Sequence, residues 1–416
     1  MSGSAPPALT PRAPWLGRRV ILGVTGGIAA YKSIQVARDL TRLGAEVDVV
    51  MTAGAGRFVR PLSFEGVTGR PALTDLFSTD GAAQHIRLGY DADVVCVAPA
   101  TADFIARAAQ GRANDLLSTT LLATRAPVLI SPAMNDRMFS HTQTQRNVTH
   151  VREALGYSIV GPASGPLAYG EGEGPGRMLE PGHIVQEIGR ALGADTAFTG
   201  KKVLITAGPT HEPLDPIRYL GNRSSGRMGF ALAEAAWLRG ADVCVVAGPV
   251  AVSAPYGPDI VLVETALQMQ EAVGERIGET DLNIFAAAVA DFRPSDPSDG
   301  KLKRSEVGPD FEVRLTANPD IAAESRSARR EGAITVGFAL ETSDLIDNAR
   351  RKLAPKGFDL IVANDATDPL AGFEVETNVA TLVWREREPE VLAAMTKQAL
   401  ADRILQGVAH LLGEGV

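Results

Sequence analysis

The sequence predicts two doubly wound, mostly parallel-sheet α/β domains, and three observations support this fold class. A strand–helix–strand pattern begins after Gly17 and begins again after Gly200. The chain has 416 residues, which exceeds the usual size of a single domain. Only 5% of the residues are aromatic, whereas 42 are glycine, and small residues favour close packing of helices against sheets.

The first strand–helix–strand pattern covers residues 17–51. An apolar run leads to a turn at Gly26 and Gly27, a helical pattern follows over residues 29–43, and a corner at Gly44 precedes a second apolar run. Because such a crossover joins parallel strands, the pattern predicts the start of a Rossmann-like sheet. The second pattern has the same features and its helical part covers residues 228–239.

The remaining strand candidates are short apolar runs with little alternation. Such runs are typical of parallel strands that are covered by helices on both faces. In the first half they cover residues 94–98 and 127–131, and in the second half residues 260–263, 282–287, 334–338 and 360–363.

The Gly/Ala/Thr stretch at residues 191–199 lies between a helical pattern and a new strand, and it predicts a linker. The linker separates a first domain over residues 18–190 from a second domain over residues 200–416. Residues 1–17 are rich in Pro, Ala and Ser and have no apolar signal core. We expect them to form a disordered tail.

Composition and charge exclude several classes of protein. The net charge of −8 argues against a general nucleic-acid surface. No apolar run approaches the roughly 20 residues that cross a bilayer. Cys96 and Cys244 lie within apolar runs, which argues against a disulfide scaffold and favours a reducing cytoplasm. We therefore expect a cytoplasmic protein that binds small molecules, without a nucleic-acid or membrane partner.

Two loops of the first half are suited to a flavin or a nucleotide. Residues 23–32 join the first strand to the first helix, where Gly26 and Gly27 allow close approach of a ligand and Thr25 offers a hydroxyl. Residues 98–101 follow the next strand and end in Thr101. Ligands of open α/β sheets gather at the carboxyl ends of strands. A plain tight turn and an ordinary loop remain the alternatives.

Two further side chains of the first half suggest catalysis. Asn135 lies in the loop that follows a predicted strand, where an amide can orient a carboxylate. His85 can remove a proton near neutral pH. A structural role for His85 remains open at this point, because single histidines are more often structural than catalytic.

Residues 18–190 resemble the phosphopantothenoylcysteine decarboxylases, which belong to the homo-oligomeric flavin-containing cysteine decarboxylases. The resemblance is carried, in the same order, by residues 23–32, 98–101, 111–127, 132–138 and 174–178. Pro-Ala-Met-Asn at 132–135 together with Gly-Pro-Gly-Arg-Met at 174–178 is its most specific part. It implies FMN bound between subunits, His85 as the catalytic histidine and Asn135 as the contact to the substrate carboxylate. The implied FMN contacts are Thr25, Gly26, Gly27, Thr52, Pro99 and Thr101.

The chemistry implied by this resemblance oxidises the cysteinyl thiol to a thioaldehyde, which takes up the electrons that CO2 leaves behind, and then reduces the ene-thiol. Many members of the family carry a cysteine on a lid shortly before Gly-Pro-Gly-Arg-Met. Residues 167–178 contain no cysteine, and Tyr169 occupies the nearest position. Tyr169 is interpreted either as a proton donor or as a packing and lid-closing residue, so the final reduction stays open.

The second half has its own group of chemically suggestive residues. Asn222 and two serines precede a helix, which predicts either an N-cap or an anion site at the helix N-terminus. Asp291 ends an apolar strand, and beside a phosphate it suggests Mg2+ held largely through phosphate and water. Lys301 follows and can spread the charge that develops as pyrophosphate leaves. Lys352 and Lys356 form a further basic pair, for which a solvated surface is the alternative.

Residues 200–385 resemble phosphopantothenate–cysteine ligase, whose bacterial form uses CTP. The matching segments are 206–210, 222–229, 287–293, 301–304, 318–320, 337–342 and 363–365. The resemblance implies that Asn222 acts on an acyl-cytidylate intermediate. The implied CTP contacts are Ala287, Asp291, Lys301, Ala317, Asn318, Pro319, Phe338, Lys352 and Lys356.

Together, the two resemblances predict a bifunctional enzyme. Its ligase couples 4′-phosphopantothenate to L-cysteine with CTP, and its decarboxylase converts the product to 4′-phosphopantetheine. They also imply a homo-oligomer with trimeric contacts in the first domain and dimeric contacts in the second. The alternatives are a flavin-binding regulatory protein that acts through a partner protein, and an active ligase whose degenerate first domain stops at the ene-thiol.

Overall fold

A computed structural model of the chain describes residues 9–77, 83–167, 169–170, 172–308, 310–341, 344–365 and 377–413. By its internal contacts the chain divides into two units, Met1–Gly193 and Ala194–Val416. Among the described residues, none of the helices combines the length and the apolar character that a bilayer-spanning segment requires.

The first unit is built on a five-stranded sheet in the order β2-β1-β3-β4-β5, and every pair in it is parallel. All residues of β3 and β4 are buried, which explains why these segments show no polar alternation in the sequence. The predicted doubly wound parallel sheet is confirmed. The strands are β1 (Arg19–Val24), β2 (Glu46–Met51), β3 (Val94–Ala100), β4 (Val128–Pro132), β5 (Ser158–Ile159), and the separate antiparallel hairpin of β6 (Ala163–Pro166) and β7 (Glu173–Arg177).

The helices of the first unit place one apolar face on this sheet. In the first helix, Val36, Ala37 and Leu40 are buried at helical spacing. Asp115 begins another helix with a capping box to Ser118. The helices are α1 (Ala30–Arg42), α2 (Pro61–Thr68), α3 (Gln84–Asp91), α4 (Ala102–Ala109), α5 (Leu116–Ala123), α6 (Asp136–Ser140), α7 (Thr142–Glu153) and α8 (Pro181–Gly193).

The expectation of a disordered tail through Gly17 is wrong for the described residues before β1. The Trp15 side chain is fully buried, and its indole Nε1–H donates to the Val185 carbonyl at 3.1 Å. The Gly17 N–H donates to the carbonyl of Gly44 at 2.9 Å. Burial of one indole ring offsets the ordering entropy of a short Pro/Ala-rich segment.

The predicted linker is also shorter than residues 191–199. Helix α8 continues to Gly193, and Phe198 is fully buried. An apolar side chain inside the Gly/Ala/Thr stretch is therefore part of a core.

The second unit is built on an eight-stranded sheet in the order β12-β11-β8-β13-β16-β17-β19-β20. The strands from β12 to β17 pair in parallel, whereas β19 and β20 pair antiparallel, so the predicted mostly parallel sheet is confirmed. The strands are β8 (Lys202–Ala207), β9 (His211–Pro213), β10 (Tyr219–Gly221), β11 (Asp242–Ala247), β12 (Asp259–Leu262), β13 (Leu282–Phe285), β14 (Phe292–Pro294), β15 (Leu315–Ala317), β16 (Ile334–Glu341), β17 (Leu360–Asp365), β18 (Thr377–Asn378), β19 (Ala380–Trp384), β20 (Glu390–Val391) and β21 (Met395–Thr396).

Small residues bring the first helix of this unit close to the sheet. A Cβ added to Gly229 would lie 2.5 Å from the Cβ of Ala207, so only glycine permits this approach. The helices are α9 (Arg227–Leu238), α10 (Ala266–Gly274), α11 (Arg304–Val307), α12 (Ile321–Glu324), α13 (Leu345–Lys356) and α14 (Lys397–Gly413).

Candidate functional site

In the first unit, the loops after β1 and β3 are tied together by one threonine. The Thr25 hydroxyl donates to the Pro99 carbonyl at 2.8 Å and accepts the N–H of Thr101 at 3.1 Å. Thr101 also caps α4, because its side chain accepts the Phe104 N–H. Three of the residues expected to bind FMN therefore lie together at the carboxyl edge of the sheet.

The loop after β2 completes this cluster. Thr52 is buried, and its hydroxyl donates to the Val24 carbonyl at 3.4 Å. A Cβ on Gly26 would lie 2.8 Å from the carbonyl carbon of Gly54, so the two loops approach as closely as glycine allows. Helix α1 then begins at Ala30 without a side-chain cap. Small residues, hydroxyls and a helix N-terminus make a cradle that suits a phosphate-bearing flavin.

The hairpin of β6 and β7 lies against the loop that carries Asn135. The Met134 N–H donates to the Gly176 carbonyl at 2.9 Å. A Cβ on Gly176 would lie 2.3 Å from the Met134 oxygen, and a Cβ on Gly174 would lie 2.8 Å from the Cβ of Asp136. The glycines of Gly-Pro-Gly-Arg-Met are thus what allows the hairpin to pack on the Asn135 loop.

Asn135 itself is held in one orientation. Its Oδ1 accepts the Arg137 N–H at 2.9 Å and caps α6. Because the oxygen is used in this cap, the amide N–H2 group is the part of Asn135 that can meet a carboxylate.

An ion-pair cluster that the sequence reasoning missed links the end of the hairpin to α1. Glu180 pairs with Lys32 at 3.1 Å and also with Arg177. The hydrogen bond from Lys32 lowers the pKa of Glu180 below its usual value. No sequence signal connects these three residues, since Lys32 and Glu180 are 148 positions apart.

His85 and Tyr169 lie on elements other than the loop that carries Asn135. His85 is half-buried on α3, and Tyr169 is fully exposed between β6 and β7. Neither side chain forms a hydrogen bond with the Asn135 loop within the described part of the chain. The missing lid thiol is not replaced by Cys96, which is fully buried, since burial raises its pKa to about 12. Cys244 lies in the second unit.

In the second unit, Asn222 reaches the segment that follows β13. Its Nδ2 donates to the carbonyls of Ala288 at 3.2 Å and Val289 at 3.0 Å. The N-cap residue of α9 is Gly226, in the left-handed conformation with φ 72°, so Asn222 does not cap this helix. The N-cap interpretation of Asn222 is therefore wrong.

Asn318 binds the next residues of the same segment. Its Nδ2 donates to the Ala290 carbonyl at 2.8 Å, and its N–H donates to the Asp291 carbonyl at 2.9 Å. Two residues that the sequence reasoning missed support this arrangement: the Thr210 hydroxyl accepts the Ala290 N–H at 3.0 Å, and Arg293 donates to Asn318 Oδ1 at 3.0 Å. Thr210 and Arg293 are the last residues of the segments 206–210 and 287–293, but their partners lie in other segments.

One lysine of α13 reaches this cluster. The Lys356 Nζ lies 2.8 Å from Asp320, which directly follows Pro319. Burial acts to raise the pKa of Asp320, but the hydrogen bond from Lys356 and those from backbone N–H groups outweigh it, and the pKa falls below its usual value. Lys352 lies one turn earlier on the same helix face.

The other expected CTP contacts lie around this cluster. Phe338 is half-buried within β16, Ala287 donates its N–H to the Thr206 hydroxyl at 3.2 Å, and Asp291 and Lys301 are exposed. Among the described residues, no group of three His, Cys, Asp or Glu side chains converges on one point. A metal ion at Asp291 would therefore need ligands from the nucleotide and water.

Two protein-family models match the chain. The model described as Flavoprotein matches residues 11–193, and the model described as DNA/pantothenate metabolism flavoprotein C-terminal domain matches residues 198–412.

Curated relatives match both units in one alignment. The Vibrio cholerae "Coenzyme A biosynthesis bifunctional protein CoaBC" is 44% identical over 401 residues, covering 96% of this chain and 98% of that protein. The Escherichia coli K12 protein of the same name is 42% identical over 395 residues, covering 94% of this chain and 97% of that protein. A crystal structure of the C-terminal domain of a protein of this name has 34% identity and a TM-score of 0.45, and covers 53% of this chain and 100% of that one. The chain belongs to the family of bifunctional coenzyme A biosynthesis proteins, which join a phosphopantothenoylcysteine decarboxylase to a phosphopantothenate–cysteine ligase.

Proposed function

We propose that this chain makes 4′-phosphopantothenoylcysteine from 4′-phosphopantothenate, L-cysteine and CTP, and then decarboxylates it to 4′-phosphopantetheine. The observation that carries the proposal is the alignment with bifunctional relatives through both units. This alignment does not favour the two alternatives, a purely regulatory flavoprotein and an active ligase with a degenerate first domain.

In the ligase step, the substrate carboxylate attacks the α-phosphorus of CTP and pyrophosphate leaves. The Lys301 ammonium spreads the charge that develops on the leaving group. The nucleotide would be bound by Lys352, Lys356, Phe338, Ala287 and residues 317–319. Asp291 would hold Mg2+, which would neutralise charge on the reacting phosphates. The proposal is supported by Asn318, whose Nδ2 binds the Ala290 carbonyl after β13, and by Lys356, which pairs with the nearby residue Asp320.

The mixed anhydride then acylates the cysteine amine, and CMP leaves. Because the Nδ2 of Asn222 is held by the Ala288 and Val289 carbonyls, its Oδ1 is the atom that can accept a hydrogen bond from the attacking amine. Asn222 therefore orients the second half of the ligase reaction.

In the decarboxylase step, FMN would be held by Thr25, Gly26, Gly27, Thr52, Pro99 and Thr101. The bound flavin supplies the redox chemistry that turns the cysteinyl side chain into an electron sink. The Asn135 amide N–H2 group holds the substrate carboxylate, and His85 takes up a proton. Tyr169 is the candidate proton donor of the final reduction.

We further propose a homo-oligomer with trimeric contacts through the first unit and dimeric contacts through the second, in which FMN lies between subunits. A reducing cytoplasm suits the free Cys96 and Cys244. Sedimentation of the purified protein tests the assembly.

Mass spectrometry of the products tests the proposed function. The full-length protein, supplied with 4′-phosphopantothenate, cysteine and CTP, is expected to be yellow and to accumulate 4′-phosphopantetheine. The acylated substrate, the ene-thiol and 4′-phosphopantetheine differ in mass. Accumulation of phosphopantothenoylcysteine, or of the ene-thiol alone, would contradict the decarboxylase half, and a lack of CTP-dependent pyrophosphate would contradict the ligase half.

A further inference from the structure

A buried carboxylate that the proposed mechanism does not use lies between β9 and β10. Asp215 is 3% exposed. Its Oδ1 accepts the N–H groups of Ile217 at 2.9 Å and Arg218 at 2.7 Å, and its Oδ2 accepts the Arg218 guanidinium through Nε at 3.0 Å and Nη2 at 2.5 Å. Four donors from its own turn therefore hold this side chain in place.

The same carboxylate also holds a segment more than 80 residues away. Asp215 Oδ2 accepts the Leu302 N–H at 3.1 Å, and the Arg218 Nη2 donates to the Leu302 carbonyl at 2.7 Å. The Ser298 N–H donates to the Leu214 carbonyl at 3.0 Å. Both backbone groups of Leu302 are thus fixed by Asp215 and Arg218, and we name these three residues the 215–302 latch.

The latch fixes the chain directly beside Lys301. Lys301 precedes Leu302, and it is exposed, as are most residues of the loop at 295–303. An exposed loop that carries a long lysine side chain has many available positions. Charge-assisted hydrogen bonds at both backbone groups of the next residue restrict these positions. The turn that contains Asp215 also leads through β10 to Asn222. The Asp215 carboxylate therefore links the chain segment that carries Asn222 to the loop that carries Lys301.

The ionised state of Asp215 is well supported. The Arg218 hydrogen bond is the largest influence and lowers the pKa, burial acts in the opposite sense, and backbone N–H groups lower the pKa further. The net pKa lies below the usual value for aspartate. The latch is therefore formed at neutral pH.

We propose that Asp215 is a positioning residue of the ligase, which sets the place of Lys301 through the 215–302 latch. The proposal rests on the proposed role of Lys301 at the nucleotide. It assigns to Asp215 no contact with substrate, so its effect must pass through the Lys301 loop.

The test is Asp215→Asn in the full-length protein. The substitution keeps the side-chain volume but removes the charge and replaces one acceptor by a donor. A catalytic group displaced by about 1 Å costs on the order of 100-fold in rate, so we expect the kcat of CTP-dependent pyrophosphate release to fall by up to about 100-fold, with a smaller change in KM. Trypsin is expected to cleave faster after Lys301, Lys303 and Arg304. Decarboxylation of supplied phosphopantothenoylcysteine is expected to stay unchanged.

Two comparisons separate positioning from a general loss of structure. Asp299→Asn changes an exposed carboxylate of the same loop and is expected to leave both the rate and the cleavage unchanged. In a Lys301→Gln background, Asp215→Asn is expected to lower the rate of pyrophosphate release little further, because both changes remove the contribution of the Lys301 ammonium. A full additional loss in that background, or a normal rate with faster cleavage, would overturn the proposal.

If Asp215→Asn unfolds the second unit, Arg218→Lys replaces it as the test. A lysine keeps the charge beside Asp215 but has no guanidinium to reach the Leu302 carbonyl as well. Faster cleavage with slower pyrophosphate release supports the latch, and no change in either overturns it. If Lys301→Gln keeps the full rate, the role of Lys301 is wrong, and slow pyrophosphate release by Asp215→Asn would then mean that Asp215 acts by another route.

Discussion

Replacing Gly176 by alanine tests how the hairpin of β6 and β7 supports the decarboxylase site. The added Cβ would lie 2.3 Å from the Met134 oxygen, whereas ordinary contacts lie at 3.4–4 Å. Since backbone is the obstacle, the hairpin must move about 1 Å away from the Asn135 loop. The φ of 152° at Gly176 adds strain for any residue with a side chain.

The loss of stability expected for Gly176→Ala follows from these contacts. Loss of the Met134–Gly176 hydrogen bond costs about 1 kcal/mol, and a strained backbone position costs about 1–3 kcal/mol. We therefore expect the first unit to lose about 2–4 kcal/mol of unfolding free energy, or to relieve the clash by opening the hairpin. A shift of about 1 Å at Asn135 then lowers decarboxylation on the order of 100-fold.

The assay is CO2 release from supplied phosphopantothenoylcysteine, measured beside CTP-dependent pyrophosphate release in the same sample. Gly182→Ala is the matched control, because it lies in α8 with no atom within 4 Å of an added Cβ. The control is expected to be neutral or stabilising by roughly 0.5–1 kcal/mol, as glycine is a poor helix residue. A full decarboxylation rate for Gly176→Ala would refute the supporting role of the hairpin.

Three further predictions concern the first unit. His85→Asn is expected to abolish CO2 release and to leave pyrophosphate release intact, and loss of both would show that the two halves do not act independently. Tyr169→Phe is expected to accumulate the ene-thiol, detected by its mass, whereas normal phosphopantetheine would leave Tyr169 a lid residue only. Glu180→Gln is expected to lower the stability of the first unit by at most about 1 kcal/mol, because the ion pairs with Lys32 and Arg177 are partly exposed. The folded-state pKa of Glu180 is depressed, so this stability is present above the ordinary glutamate pKa and is lost as the pH falls through the folded-state pKa. A difference in melting temperature between the variant and the parent protein that persists at the lowest pH would contradict the ion-pair role of Glu180.

Local pattern predicted the elements of the two sheets well, and it failed where the partners of a segment were distant. The strand expected at 282–287 ends at Phe285, and the Ala287 N–H donates to the Thr206 hydroxyl instead of to a backbone carbonyl of β8. The expected tail contains Trp15, whose hydrogen-bond partner Val185 lies 170 positions away. Periodicity reports which side of a segment is apolar, but not which distant group will cover it.

The sequence by itself determined the fold class and the family resemblances, because strand–turn–helix patterns and motif order are local properties of the chain. Only the tertiary structure decided that Asn222 binds the carbonyls after β13 rather than capping α9, and that Lys356 pairs with Asp320. It alone joined Asp215 to Leu302 and Gly176 to Met134. These contacts depend on loops that meet at the carboxyl edges of the sheets, and on backbone groups whose partners are set by packing rather than by residue type.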